Sequence, residues 1–427
     1  MIVVCEPQCT GASHEKVNSG FLALLQHAYP GEAIRLYADP SHSAALEAIL
    51  AHDGVSLDGI EHRAISVRDA FGVRGALAYY RQFTRMLEDT VEAGCDRVLF
   101  LSTSPLLLHV LKRLKARAAY AHLCFAFVLH AEFEDIANER FREVATTAIA
   151  EPSLLAKLRS IRIAELPGKV VGLVTRKVST RYTKAWKSRF RIREQLSWRH
   201  GDEISYIALS PHVVTNAASY IDVDALHVRA VEMPINFAAP TPPPANHHLK
   251  LATFGYGDPA ALRKVIDHLD RMPITHSYEI RIIGMDNRGL ENHPNVYCPS
   301  PGKPLARADM ERHATDIDAF LILYDRSRYQ LSCSGAIFEA LSYVKPVLHI
   351  GNACVEQFDR SEAPIGFGCA DLEELARMIA AMIEDYPGHL PALAQRRQNI
   401  LQMRAKLGME NLAPKLRAAF ACDTKIP

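Results

Sequence analysis

The chain lacks most of the signatures that would take it outside ordinary α/β proteins. It has nine cysteines, an odd number, and no Cys-x-x-Cys pair. That spacing speaks against structural zinc and against a disulfide framework, so free thiols in a reducing compartment are expected. It also lacks a charge excess: 49 Lys+Arg against 48 Asp+Glu leave a net +1, so any basic role must be local. No stretch approaches the ~20 apolar residues needed to cross a bilayer. The opening MIVVCEPQC has no basic segment and too short an apolar run for a secretory signal, so a cytoplasmic protein is expected. What remains is a globular composition, 48% hydrophobic and 23% charged. At 427 residues it is long enough for two or three cores.

What is present is an alternation of apolar runs and amphipathic stretches. Strands are expected at 2–5 (IVVC), 33–37, 97–101 (RVLFL), 122–129 (HLCFAFVL), 169–175 and 206–209. Helices are expected at 21–27, after a polar loop over 10–20, and at 76–93, 105–114 and much of 131–168. Continuous rather than alternating hydrophobicity implies strands covered on both faces, hence a parallel sheet. Residues 240–244 are proline-rich and read as a stiff linker. A second series follows, with strands at 250–254, 278–283, 296–297, 319–324 and 347–350. Its helices fall at 262–269, 336–342, 372–384 and 393–420. The expected fold is α/β, with a doubly wound domain over 1–238, a linker over 239–249 and a second over 250–400. A helix over 401–427 is expected to pack back on the first domain. In such sheets ligands sit in the cleft at the strand C-termini.

Residues 332–352 (SCSGAIFEALSYVKPVLHIGN) carry the most functional information. Ser334-Gly335-Ala336 opens a helix whose free N–H groups suit an anion. One turn on, Glu339 offers a carboxylate to sugar hydroxyls. A phosphate and a ribose on one ligand would use both, although an ordinary helix start with a solvated acid has the same pattern. In the first half, His130 follows a buried strand and Glu132 lies two residues on. His14, beside Glu15 in the first loop, is a candidate general base. The alternatives are strand-end packing for His130 and solvated surface roles for His14 and Glu132. The triplets Asp222-Val223-Asp224 and Asp316-Ile317-Asp318 invite a metal, but turn formation explains them better. The run over 176–199 holds nine Lys/Arg against one Glu, with aromatics interleaved. Arg176, Lys177, Arg181 and Trp186 suit an anionic membrane or a lipid diphosphate, single-stranded nucleic acid, or a solvated face.

Taken in order, several elements resemble a GT-B glycosyltransferase, most similar to family 4 and its bacterial polysaccharide relatives. The carrying residues are Phe338-Glu339-Ala340-Leu341, then Lys345-Pro346-Val347, with Phe254-Gly255, Ile282-Ile283-Gly284, Asn295-Val296 and Asp318-Ala319-Phe320 upstream. Val128-Leu129-His130, Ile207 to Ser210 and Met233-Pro234-Ile235-Asn236 match the first half, so the resemblance covers most of the chain. It implies two Rossmann-like domains facing across a cleft and a UDP- or GDP-linked sugar donor, with no cofactor and no metal. It implies Ser334, Gly335 and Ala336 at the diphosphate, Glu339 on the ribose and His130 at the donor sugar. Gly255, Tyr256, Arg263, Tyr297 and Arg326 would complete the donor side. The acceptor would be a glycan or a lipid-linked glycoconjugate at the inner membrane face, as in bacterial surface polysaccharide synthesis; a nucleic acid partner is not expected. Two positions depart from the family. Leu331 stands where a first motif glutamate is usual, and Tyr256 where an arginine is usual. A phosphate-binding cation must then come from Arg263, Lys264, Arg326 or Arg328. A non-hydrolysing nucleotide-sugar epimerase and a catalytically inactive binding module share this architecture.

Overall fold

The computed structural model describes residues 1–66, 72–137, 190–237, 239–255, 257–284, 289–301, 303 and 305–420. The first sheet runs β3-β2-β1-β4-β5-β6-β7, from β1 (Ile2–Cys5), β2 (Ile34–Ala38), β3 (Ile60–Ala64), β4 (Arg97–Phe100), β5 (Cys124–Leu129), β6 (Ile204–Ala208) and β7 (Val228–Ala230). The second runs β10-β9-β8-β11-β12-β13, from β8 (Leu249–Phe254), β9 (Tyr278–Ile283), β10 (Val296–Tyr297), β11 (Ala319–Ile322), β12 (Val347–Ile350) and β13 (Gly366–Cys369). Every pairing in both is parallel. Strand order reverses direction at β1/β4 and again at β8/β11, which opens a crevice at the strand C-termini of each sheet.

The strand sequences explain this. β1, β5, β6 and β11 are buried at every residue, as two-sided cover by helices requires. Helix starts carry their own signals: α1 spans Glu15–Ala28, α2 Pro40–His52 and α4 Pro105–Lys115, with α3 at Gly72–Glu92 between the last two. Asp39 and Ser104 cap α2 and α4 by accepting from Ser41 and Leu107 amides, each with proline in the first turn. Among the described residues, α5 (Ile192–Ser197) and α6 (Pro211–Ala217) follow in the first half. The second half adds α7 (Pro259–Leu269), α8 (Arg307–Thr315), α9 (Gly335–Ser342), α10 (Ala353–Glu356), α11 (Leu372–Glu384) and α12 (Tyr386–Lys406). The last helix, α13 (Met409–Ala419), returns to the first sheet. Lys415 Nζ donates to Glu232 Oε1 at 2.6 Å, Arg417 Nη1 to the Ala28 carbonyl at 2.8 Å, and Ser205 Oγ to the Ala419 carbonyl.

Several expectations are corrected. Part of the polar loop over 10–20 is helix: α1 starts at Glu15, because Val17, Phe21, Leu24 and Leu25 complete an inward stripe. A Cβ on Gly20 would lie 2.0 Å from the Pro234 carbonyl oxygen, so α1 meets the 233–236 segment closer than any side chain permits. The helix expected over 393–420 breaks between Lys406 and Met409. Seven described cysteines are free, but Cys124 is disulfide-bonded. Sequence spacing cannot reveal cysteines that only the fold brings together. Lys345 is fully buried in the Lys345-Pro346 turn, and its ammonium donates to the Thr315 and Ile317 carbonyls at 2.6 Å each. Burial drives its pKa down to about 7. This motif lysine ties the turn after α9 to the start of β11.

Candidate functional site

In the first half the site begins with a residue that sequence reasoning passed over. Glu6 follows β1 and is fully buried. Its Oε1 accepts from the Gln8 and Cys9 amides at 2.8 and 3.0 Å and from Ser102 Oγ; its Oε2 accepts from Asn18 Nδ2 at 2.9 Å. Four donors satisfy a carboxylate that burial would otherwise penalise. The chain continues outward. Asn18 Nδ2 lies 3.0 Å from His42 Nε2, and His42 Nδ1 lies 2.7 Å from the Gly11 carbonyl. The loop after β1 is therefore held at both ends. His14 closes it as the residue before α1, in the left-handed region at φ 54°.

That loop brings two of the sequence candidates together. The His14 and His130 rings lie 4.5 Å apart, tilted by 45°. His130 Nε2 is 2.8 Å from the Leu101 carbonyl, so Nε2 carries the proton and Nδ1 the lone pair. Burial lowers both pKa values, that of His130 to about 4; His14 lowers His130 further and His42 lowers His14, while Glu6 opposes both shifts. Both rings are neutral at pH 7. Glu132 turns away from them. Its Oε2 accepts from the His130 and Ala131 amides at 2.6 and 3.1 Å, and burial raises its pKa to about 7. Its carboxylate is thereby held against the backbone at the end of β5.

In the second half, α9 points its first turn at the same region. Ser334 Oγ caps the helix by accepting from the Ala336 amide at 3.2 Å, and it shares a 2.9 Å hydrogen bond with Tyr324 Oη. The Ser334 amide is used as well, donating to Cys354 Sγ at 3.3 Å. Gly335 differs: it is exposed, and a Cβ there would meet nothing within 4 Å. One turn on, Glu339 Oε2 lies 2.5 Å from Lys16 Nζ, an ion pair between the two halves. Lys16 also stands 5.7 Å from the centre of the Tyr343 ring. No sequence pattern links residues 323 positions apart.

Around α9, Gly255 and Gly284 end β8 and β9 with φ of +69° and +76°, and the Gly255 amide donates to the Ile283 carbonyl at 3.0 Å. Glycine alone adopts such turns at no steric cost, and here it brings two backbones together at the strand C-termini. Tyr297 ends β10, 45% exposed, beneath the Arg281 guanidinium at 5.5 Å. Arg326 is exposed beside Gly351, and Arg263 lies by Gly289. Arg328 donates to the Gly257 carbonyl at 3.3 Å and pairs with Asp258 at 3.6 Å. Tyr256, Arg176, Lys177, Arg181 and Trp186 lie outside the described residues. The two Asp triplets have protein partners. Asp316 pairs with Lys250 and Arg281, and Asp318 accepts from Tyr386 Oη at 2.8 Å and the Lys250 amide at 2.8 Å. Asp222 accepts from the Ala225 amide, and Asp224 stands 3.6 Å from Arg229.

Leu331, one of the two departures from the resemblance, has a structural reason. Leu331 is 2% exposed and packs into the apolar cluster of the first half, although it belongs to the second. Its amide donates to Glu134 Oε1 at 3.0 Å, and Ser332 Oγ joins the same oxygen at 2.9 Å. His212 and Asn216 hold the loop from the other side, with His212 Nε2 2.9 Å from the Tyr329 carbonyl and Asn216 Nδ2 2.7 Å from that of Gln330. Residues 329–332 thus clasp the two halves. Leu331→Glu would put a carboxylate into this apolar seat, next to the Glu134 carboxylate. We expect it to lower stability by about 3 kcal/mol and to leave activity unimproved. An unchanged melting temperature would contradict that account.

No protein-family profile and no curated protein sequence matches the chain. Solved structures do. HepE of Anabaena, in complex with UDP and glucose, is 14% identical over 97% of this chain and 98% of its own, with a TM-score of 0.55. A glycosyltransferase from Rickettsia africae is 11% identical over 100% and 99%, TM-score 0.58. A Staphylococcus aureus TarM variant, in complex with Fondaparinux, α-GlcNAc-glycerol and UDP, is 8% identical over 98% and 99%, TM-score 0.57. At such identities the likeness speaks for architecture. Two parallel Rossmann-like sheets, of seven and six strands, give this chain the GT-B fold of those glycosyltransferases.

Proposed function

We propose that the chain is a glycosyltransferase that moves a sugar from a nucleoside-diphosphate donor to a glycan or lipid-linked acceptor. The observation that carries this reading is convergence. The exposed start of α9 with Glu339 one turn on, and the His14–His130 pair above buried Glu6, meet across an interface closed by the Lys16–Glu339 ion pair. In the reaction, an acceptor oxygen bonds to the anomeric carbon as that carbon's bond to the diphosphate oxygen breaks. The diphosphate leaves with the electron pair, and the acceptor proton passes to a base. His14, neutral and at the edge of the loop, takes that proton. His130, its proton fixed on Nε2, orients the donor sugar through Nδ1. The Glu6 carboxylate stabilises the imidazolium formed on His14. The α9 N-terminus and nearby cations oppose charge on the departing diphosphate in place of a metal.

Incubation with UDP- and GDP-sugars tests this reading. Soluble glycans, and polyprenyl phosphates in anionic vesicles, serve as acceptors. Acceptor-dependent release of nucleoside diphosphate is the expected result, with vesicles the better acceptor if the 176–199 run meets lipid. Interconversion of the donor sugar without acceptor would replace the proposal with epimerisation. A second reading, an inactive nucleotide-binding module, is favoured by Leu331, which is buried where an acid is usual. Binding without turnover across that panel would select it.

A further inference from the structure

We infer that Lys16 is the diphosphate-facing cation of this site, supplied by the first half, and that it leaves Glu339 for the ligand when a nucleotide binds. The inference rests on the nucleotide-binding reading above. Lys16 stands in the first turn of α1, and its ammonium reaches across the interface to Glu339. Both side chains keep partial access to solvent, 23% for Lys16 and 14% for Glu339, so the pair can open without unpacking a core. Glu339 is four residues from Gly335 on the same face of α9, about 6 Å along the axis. A lysine stem pivoting from Glu339 therefore covers the distance to an anion seated on the Gly335 end.

The surrounding charges make this exchange favourable. Three other cations near the site are committed, Lys345 to two buried carbonyls, Arg328 to Asp258 and the Gly257 carbonyl, and Arg281 to Glu279 and Asp316, while Arg326 stands exposed beside Gly351 on the second half. Asp53 and Glu311, which face the same seam, are both paired with Arg307, at 3.5 and 3.0 Å. A diphosphate offers Lys16 more negative charge than one carboxylate does. Its release then leaves both Glu339 oxygens for ribose hydroxyls. Binding in the second half thus requires a residue of the first, which ties donor affinity to the seating of the two halves.

The test is calorimetric titration of the full chain with UDP, GDP, uridine and guanosine, for wild type, Lys16→Met, Lys16→Arg and Glu339→Gln. Thermal melting reports whether each variant is folded. Lys16→Met is expected to weaken the diphosphate that binds wild type about tenfold or more, a difference of ~1.4 kcal/mol or above. The matching nucleoside, which has no phosphate to draw Lys16 off Glu339, should bind the variant no more weakly than wild type. Lys16→Arg should restore most of the loss, and raised salt should weaken diphosphate binding to wild type more than to Lys16→Met. Equal diphosphate affinity in wild type and Lys16→Met, or a gain in the variant, would overturn the inference while leaving the nucleotide reading standing. A wild type that binds no nucleoside diphosphate would remove both.

Discussion

Replacing His14 with alanine is expected to lower the transfer rate by about 10²–10⁴, the usual contribution of a positioned base. Donor affinity should stay within a few-fold, because Gly335 and Glu339 lie on the other half. The pH profile distinguishes His14 from its neighbour. Burial and His42 lower the His14 pKa below the ordinary 6.5, with Glu6 opposing. A base acts when deprotonated, so the rate falls as pH drops through that pKa, and the acid limb should lie below 6.5. Glu132 has a pKa raised to about 7, so a Glu132 base would place the limb near 7. A limb near 7 that persists in His14→Ala would move the role to Glu132. A wild-type rate in His14→Ala would return His14 to a structural part of the loop.

Glu6→Ala is expected to be the most destabilising single change at the site. It strands the Gln8 and Cys9 amides, Ser102 Oγ and Asn18 Nδ2 around an empty buried seat. Removing one member of a buried charged network costs about 3–5 kcal/mol. In a half of this size, each kcal/mol moves the melting temperature by about 2–4 °C, so a fall near 10 °C is expected. Glu6→Gln keeps the shape and should melt closer to wild type. It withdraws the charge beneath the imidazoles, so His14 becomes harder to protonate and its acid limb moves to lower pH. An unchanged melting temperature in Glu6→Ala would contradict the network described here.

The fold was legible where burial is two-sided. IVVC, YEIRII and VLHI are long or apolar enough to stand out, and β1, β9 and β12 occupy the expected residues. The strands that escaped, IEHRA, VRA and GFGC, are polar, short or glycine-rich, and all three lie on sheet edges where one-sided cover suffices. α2 escaped because its inward stripe is weak, although Asp39-Pro40 marks its start. At the site, Glu339, Gly335, His14 and His130 were readable because helix starts and strand ends leave local patterns. Glu6 and Lys16 were not. Each takes its meaning from partners that only the fold brings close: Ser102, just past β4, for one, and Glu339 across the interface for the other. Leu331 was visible as a departure, but its reason, a seat in the core of the opposite half, is a tertiary fact.

The central claim is that the two halves form one nucleotide-sugar site with Glu339 at its ribose end. Calorimetric titration of wild type and Glu339→Ala with UDP and GDP tests it most directly. The account predicts that wild type binds at least one of the two and that Glu339→Ala binds it at least about tenfold more weakly, a loss of ~1.4 kcal/mol or more. Absence of binding by wild type, or equal binding by the variant, would contradict it.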